Sequence, residues 1–278
     1  MSVATDTLAL LTQLAGRTPL PKVRALHLPP APPPGGLRGE FCAVELDAEG
    51  AAGLSYVLLG DTWAGLTAHG ARCVRPAQDA LALAQGITSA DPLARTVGQA
   101  TVNALTRWLF LRAGYTPPPS ADSLGGLDPQ PGELVGMVGH FTPLMPRITA
   151  RGARLLVVEL RADLVGERDG VRVTLDPAEL AACRPVLATG TLLLNDTLDA
   201  VLAHCQNAQH LALIGPSVGG PPDVLFSRGV TLLGGTWLID VPAHLAALVA
   251  GTGAPGTARK SAITRGDYPG WSALLDRL

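Results

Sequence analysis

Leu211–Gly220 reads LALIGPSVGG, and the reading of that phrase decides the fold. An apolar run climbs, then breaks on glycine and small polar residues. The same phrase occurs at Leu134–Phe141 (LVGMVGHF), Val186–Asp196 (VLATGTLLLND) and Val230–Thr236 (VTLLGGT). A related run, Leu155–Leu160 (LLVVEL), meets a carboxylate in place of glycine. Short continuous apolar runs spaced by helical patterns predict strands buried on both faces of a parallel sheet. Strands are expected near Leu134–Val138, Arg154–Glu159, Val186–Thr189, Leu211–Ile214 and Thr231–Leu233. Helices are expected near Pro143–Ala150, Pro177–Ala182, Thr197–Cys205 and Pro242–Val249, with a closing amphipathic helix over Pro269–Leu278. This alternation predicts a Rossmann-like α/β fold, a doubly wound and mainly parallel sheet with right-handed crossovers. Ligands of such sheets bind beyond the carboxyl ends of the strands. The glycine-rich breaks therefore mark the expected rim of a site.

Upstream, Tyr115–Gly132 (YTPPPSADSLGGLDPQPG) carries five prolines and three glycines, which sustain neither a helix nor a central strand. It is expected to be a linker, residues 115–132, between a domain of residues 1–114 and one of residues 133–278. The first domain opens with a helix near Thr5–Leu14. Alternation over Lys22–Leu28 and Phe41–Leu46, with a more continuous run at Leu54–Leu59, predicts an antiparallel sheet with one wet face. Pro29–Gly36 (PPAPPPGG) reads as a stiff, exposed polyproline-like loop. Helices follow near Pro76–Ala84 and Pro92–Arg112. Asp91 is placed to cap the second and Pro92 to open it. Leu93, Val97, Ala100, Ala104, Trp108 and Leu111 fall on one core-facing stripe. Asn103 sits beside that stripe although Asn is mildly unfavourable inside a helix. It is a candidate for a hydrogen bond across a domain interface or toward a ligand.

Composition excludes several classes. A chain of 278 residues accommodates one large domain or two modest ones. The formal net charge of −2 and the aromatic content of 4% leave no nucleic-acid footprint. Four cysteines (Cys42, Cys73, Cys183, Cys205) are scattered without a CxxC pair, which argues against a zinc ribbon and a disulfide framework. The first residues, MSVATDTLALLTQLAGR, lack a basic leader region and read as an amphipathic helix. No apolar run approaches the roughly 20 residues that cross a bilayer. A soluble cytoplasmic protein is expected, without nucleic acid or membrane partners, and a homo-oligomer is left open.

Three stretches, GMVGHFTPL, VLATGTLLLNDTLDAVL and LIGPSVGGPPDVLFSRGVTLLGGTWLID, resemble a family of bacterial and archaeal proteins named putative heavy-metal chelation proteins. The phrase ARTVGQATVNAL is similar to the signature of that family's partner domain. The resemblance runs from about Lys22 to about Val249. It implies a smaller α+β module like the enolase N-terminal domain ahead of a Rossmann-like module. It also implies a role in handling metal ions or metal-chelating small molecules.

The loops supply the candidate residues. At the first strand exit, Gly139, His140, Phe141 and Thr142 precede Pro143, with Thr142 placed to cap the helix that Pro143 opens. Free amides at a helix start favour an anion. Glu159 follows Gly139 by 20 residues and ends the next strand, where an acid holds ribose hydroxyls in dinucleotide or adenosyl sites; only GxxG of the GxGxxG fingerprint is present. Thr189, Gly190, Thr191 and Asn195 form the third exit, where Asp196 is a candidate helix cap or ligand contact. Gly215, Pro216 and Ser217 form the fourth. His140, Glu159 and Asp196 compose a candidate N/O site for a divalent metal ion. The GxSxG spelling of Gly215–Gly219, with Asp240 and His244 downstream, imitates a nucleophile elbow. Gly219-Gly220-Pro221-Pro222 opposes the helix an elbow needs, and Asp240 is better placed as a cap. Ser217 is instead expected to contact a bound anion. Two functions stay open. One is handling of a metal ion or metal chelate, with a small anionic ligand in an interdomain cleft. The other is a nucleotide- or S-adenosylmethionine-dependent transferase using the same loops. No catalytic residue is assigned.

Overall fold

The computed structural model of the chain describes residues 2–31, 40–120 and 124–278. Helix α1 (Val3–Arg17) starts where the Ser2 side chain accepts a hydrogen bond from the Thr5 amide, and it buries Val3, Thr7, Leu11 and Leu14 along one stripe. Strands β1 (Val23–His27), β2 (Phe41–Leu46) and β3 (Ala52–Tyr56) form an antiparallel sheet in that order. Residues 32–36 of the expected polyproline loop lie outside the described residues. Helices α2 (Thr62–Cys73), α3 (Ala80–Ala84) and α4 (Pro92–Arg112) follow. The sequence did not announce α2, whose two glycines weaken its helical signal. The expected helix at Pro76–Ala84 contracts to α3, where Asp79 accepts from the Ala82 amide.

Helix α4 has the expected bounds, and Asp91 accepts from the Leu93 amide ahead of Pro92. The one-sided stripe is corrected, because every residue from Arg95 to Phe110 is buried. A helix buried all round lies between two layers. One layer is the three-stranded sheet. A Cβ on Gly53 of β3 would stand 2.2 Å from the Ala100 carbonyl oxygen and 2.3 Å from the Ala104 nitrogen. Thr101 and Thr106, inside the helix, donate their hydroxyls to the Val97 and Val102 carbonyls. The wet face expected of the antiparallel sheet is also absent on β3, where Ala52, Gly53, Leu54 and Ser55 are all buried. Its other side meets the second half of the chain.

That second half comprises β4 (Leu134–Val138), α5 (Met145–Thr149), β5 (Arg154–Val158), β6 (Gly166–Arg168), β7 (Val171–Thr174), β8 (Pro185–Thr189), α6 (Leu198–His204), β9 (His210–Ile214), α7 (Pro222–Phe226), β10 (Leu232–Leu238), α8 (Val241–Ala250), β11 (Ala258–Thr264) and α9 (Trp271–Leu275). One sheet holds all its strands in the order β11-β10-β9-β8-β4-β5-β7-β6. The six inner strands are parallel, and β6 and β11 run antiparallel at the edges. The first strand, β4, is central, and the winding direction reverses between β4 and β8. A mostly parallel α/β sheet is thus present, beside the smaller antiparallel one.

Several elements differ from expectation. Pro177–Ala182 is 3-10 helix, capped by Asp176, and the closing helix shrinks to α9. Strand β10 runs straight through Gly234 and Gly235 instead of ending there. Its pairing with β9 stops at Gly234, opposite Ile214, while pairing with β11 continues to Leu238. The sheet therefore narrows to a two-stranded extension beyond β9.

The two sheet faces have separate cores. Val138, Val158, Val186, Ala188 and Leu213 join a cluster that continues into α1, β2 and α4 of the first half. Met137, Leu155, Val157, Leu187 and Ala212 join Ile148 of α5 with Leu124 and Leu127. The last two belong to the expected linker, which buries Pro117, Leu124, Gly125, Leu127 and Pro129. Its Pro118 carbonyl accepts from the Ala262 amide of β11, and the Ser120 amide donates to Lys260. Gly125 (φ +63°) then lies so close to β9 that a Cβ would stand 2.8 Å from Ala212 Cβ. A third cluster joins Ala43, Ala52 and Leu54 to Leu238, Val241 and Leu245, and covers the outer side of β3 with α8. No helix among the described residues is long and apolar enough to cross a membrane.

Candidate functional site

Parallel register sets Val138, Val158, Ala188 and Ile214 near one edge of the sheet, so the loops after β4, β5, β8 and β9 leave side by side. At the β4 exit, Gly139 (φ +92°) packs against Thr189, and its added Cβ would lie 3.1 Å from Thr189 Cγ2. Glu159 Oε2 accepts from the His140 amide at 2.9 Å, and Oε1 accepts from the Leu160 amide at 2.8 Å. Glu159 thus braces the neighbouring loop. His140 Nδ1 lies 3.3 Å from the Thr142 hydroxyl. Thr142 does not cap a helix, because α5 begins three residues later with Leu144 as its cap. Phe141 packs into the cluster around α5.

At the β8 exit, the Thr189 and Thr191 hydroxyls are 3.1 Å apart, and Gly190 lies beneath Val218 and Ser217. Asn195, not Asp196, organises the start of α6, since its Oδ1 accepts from both the amide and the hydroxyl of Thr197. Asp196 adopts φ +63° and lies 3.5 Å from Arg95. Among the described residues no group of three or more His, Cys, Asp or Glu side chains is placed to hold a metal ion, so His140, Glu159 and Asp196 do not form one. The thiols are equally withdrawn: burial pushes Cys42 up to about 12, and Cys183 and Cys205 up to about 11.

Ser217 is 2% exposed and joins the two halves. Its Oγ accepts from the Tyr56 amide of β3 at 3.0 Å. Its carbonyl accepts from Gln99 Nε2 at 3.2 Å and Asn103 Nδ2 at 2.9 Å, and Asn103 Nδ2 also donates to Leu54 at 2.8 Å. Asn103 is the interface residue its sequence context suggested. The downstream partners of the elbow motif serve elsewhere. Asp240 caps α8 through the Ala243 amide, and His244 Nδ1 is 2.9 Å from the Thr257 hydroxyl. Helix α7 starts at Pro222, beyond the glycines.

Between the halves, where β10 and β11 outrun β9, lies a small cleft with a cavity volume of about 50 Å³. Gly53 and Asn103 form one wall, and Pro216, Gly219, Thr236 and Ser261 the other. No Asp or Glu is among the described residues that line it; the charged residue there is Arg107. Arg107 Nε donates to the Gly50 carbonyl at 2.6 Å and Nη2 to the Leu238 carbonyl at 2.7 Å. Its guanidinium carbon stands 3.9 Å from the centre of the Trp237 ring. Burial, with the like charge of Arg259, lowers Arg107 to about 10, which still leaves it cationic at neutral pH. The sequence reading missed Arg107 and Trp237. The available signal was a lone arginine one helical turn after Asn103, within the apolar stretch ALTRWLF.

A family model described as putative heavy-metal chelation matches residues 123–265, and a second with the same description matches residues 39–106. The chain is 29% identical over 155 residues to an uncharacterized protein of Methanocaldococcus jannaschii, covering 55% of this chain and 58% of that relative's length. A solved protein of unknown function from Pyrococcus horikoshii has a TM-score of 0.66 at 19% identity, over 94% of this chain and 98% of its own. One from Desulfitobacterium hafniense has a TM-score of 0.66 at 20% identity, over 92% and 97%. Both solved proteins are assigned to the family whose model matches residues 123–265, and at these identities the likeness is one of fold.

Proposed function

The chain belongs to the putative heavy-metal chelation family, and from that premise we propose that it handles metal in complexed form, binding a small anionic metal chelate in the cleft between its halves. The observation that carries this reading is the charge of the cleft. Its wall presents a buried arginine and no carboxylate among the described residues. Such a surface repels a bare cation and attracts a metal wrapped in excess negative charge. The architecture supports the placement. The parallel strands follow the order of a Rossmann-like module, with a topological switch point between β4 and β8. The three-stranded sheet with α4 fits an enolase-N-like module that closes over the carboxyl edge. The metal here is cargo, and this chain's residues hold the complex through its anionic groups.

Isothermal titration of the full chain with nickel citrate, zinc citrate and the bare ions tests the proposal. Saturable binding of a citrate complex, with the bare ion at least tenfold weaker, is expected. Binding of bare nickel or zinc as tight as that of its complex overturns it.

A second reading, a nucleotide- or S-adenosylmethionine-dependent transferase, is favoured by the position of Glu159 at the end of β5, beside the central strand. Both its oxygens already accept backbone amides. Thermal shifts with ATP, NAD and S-adenosylmethionine test that reading, and silence to all three removes it.

A further inference from the structure

We propose that Arg107 is the ligand-recognising residue of this cleft, and that it takes an oxyanion, a carboxylate or phosphate group, on the Nη1 of its guanidinium. The proposal rests on the cleft being a ligand site, and it names the group that the site selects.

A guanidinium carries five N–H donors and no acceptor. In Arg107 the Nε and Nη2 bonds to Gly50 and Leu238 occupy one edge. Nη1 is buried, in a residue 8% exposed, and has no hydrogen-bond partner among the described residues. Leaving a buried charged donor unmet is costly, and each instance in a folded protein calls for an explanation. No carboxylate pairs with Arg107 among the described residues, and the neighbouring charge that acts on it is Arg259, of the same sign. The site therefore holds a surplus of positive charge in a poorly solvated place. The Trp237 ring centre, 3.9 Å from the guanidinium carbon, restrains the group from one side. The unpartnered Nη1 of a planar, cationic guanidinium suits an oxygen of a carboxylate or phosphate. Thr236 and Ser261 line the same cleft, and their hydroxyls suit the remaining oxygens. A purely structural pin between Gly50 and Leu238 would need neither the free Nη1 nor the cleft beside it.

The test titrates oxalate, citrate and inorganic phosphate separately into the full chain at constant ionic strength, with chloride as control. Wild type, Arg107→Gln and Arg107→Lys are compared, with far-UV circular dichroism to check folding. The expected result is saturable binding of at least one oxyanion to wild type. Loss of a charge-assisted hydrogen bond predicts binding about 10- to 100-fold weaker in Arg107→Gln. Arg107→Lys, which keeps charge but loses the fork, is expected to bind about tenfold more weakly than wild type. A second measurement needs no Arg107 variant. Oxyanion binding is expected to change tryptophan emission in wild type and to leave it unchanged in Trp237→Phe. Phosphate alone binding, or oxalate and citrate alone, identifies which oxyanion the residue takes. A folded Arg107→Gln protein with wild-type affinity overturns the assignment and leaves the chelate reading standing. So does oxyanion binding to wild type without a Trp237-dependent signal. Silence of wild type toward all three oxyanions and toward nickel citrate overturns both.

Discussion

Asn103 shows how much one side chain contributes when it is the shared donor of two chain segments. Its Nδ2 serves the Leu54 and Ser217 carbonyls, one from each half. Asn103→Ala removes that donor without removing the carbonyls, each of which then loses a buried bond. A loss of about 2–3 kcal/mol is expected, read as a lower urea midpoint with an unchanged slope. His244 gives a prediction in pH. Burial lowers its proton affinity below the ordinary 6.5, so in acid the unfolded chain takes the proton first. Above 6.5 both states are neutral and stability is indifferent to this group. As pH falls through 6.5 toward the lowered value, stability drops, by at most about 1.4 kcal/mol per pH unit. His244→Asn is expected to abolish that limb in denaturation curves between pH 7 and pH 5. Side chains were unevenly legible in the sequence. Asn103 stood out because a helix interior disfavours it. Arg107 did not, since its meaning comes from Trp237 and Leu238, more than a hundred residues away. The GxSxG frame, set aside as an elbow from the sequence, is a tight turn in which the Ser217 hydroxyl accepts from the Tyr56 amide.

Among elements, five of the six inner strands were readable because burial on both faces leaves a continuous apolar run; β7 (VRVT), with Arg172 exposed, was not. The edge strands were not. Every residue of β6 is exposed, and β11 (ARKSAIT) mixes charge with apolar residues because its outer edge meets only a short bridge at Pro119 and no full strand. Residues around Gly234 read as a strand end, whereas those glycines make room: a Cβ on Gly235 would stand 2.6 Å from the Val218 carbonyl oxygen. Helix α4 was legible in extent but not in surroundings, because a stripe pattern cannot report a second layer on the opposite face. Its contact with β3 is the tightest test. Gly53→Ala drives a methyl group into the backbone of α4 at Ala100 and Ala104. A loss of about 3 kcal/mol is expected, measured as a lower urea midpoint. The same change at Gly16, which has open space around its Cβ position inside α1, is expected to stabilise slightly.

Across the whole molecule, one apolar cluster runs from α1 and β2 through α4 into β8 and β9. Two halves of a chain that share a core lose it together, so a single unfolding transition is expected despite the boundary that the composition of residues 115–132 suggests. Tryptophans report on both sides, Trp63 and Trp108 in the first half and Trp237 and Trp271 in the second. Urea curves of the Trp63→Phe/Trp108→Phe and Trp237→Phe/Trp271→Phe proteins should coincide with each other and with circular dichroism. Separated midpoints would show independently stable modules. The packed connector carries a further consequence for synthesis in the cell. Pro118 and Ser120 leave the ribosome long before Ala262 and Lys260, their backbone partners in β11. A nascent chain must therefore hold this strap, and the apolar sheet face beneath it, unlatched through most of translation. Contacts so distant in sequence form late, so the strap stays open to a chaperone or protease until β11 has been made.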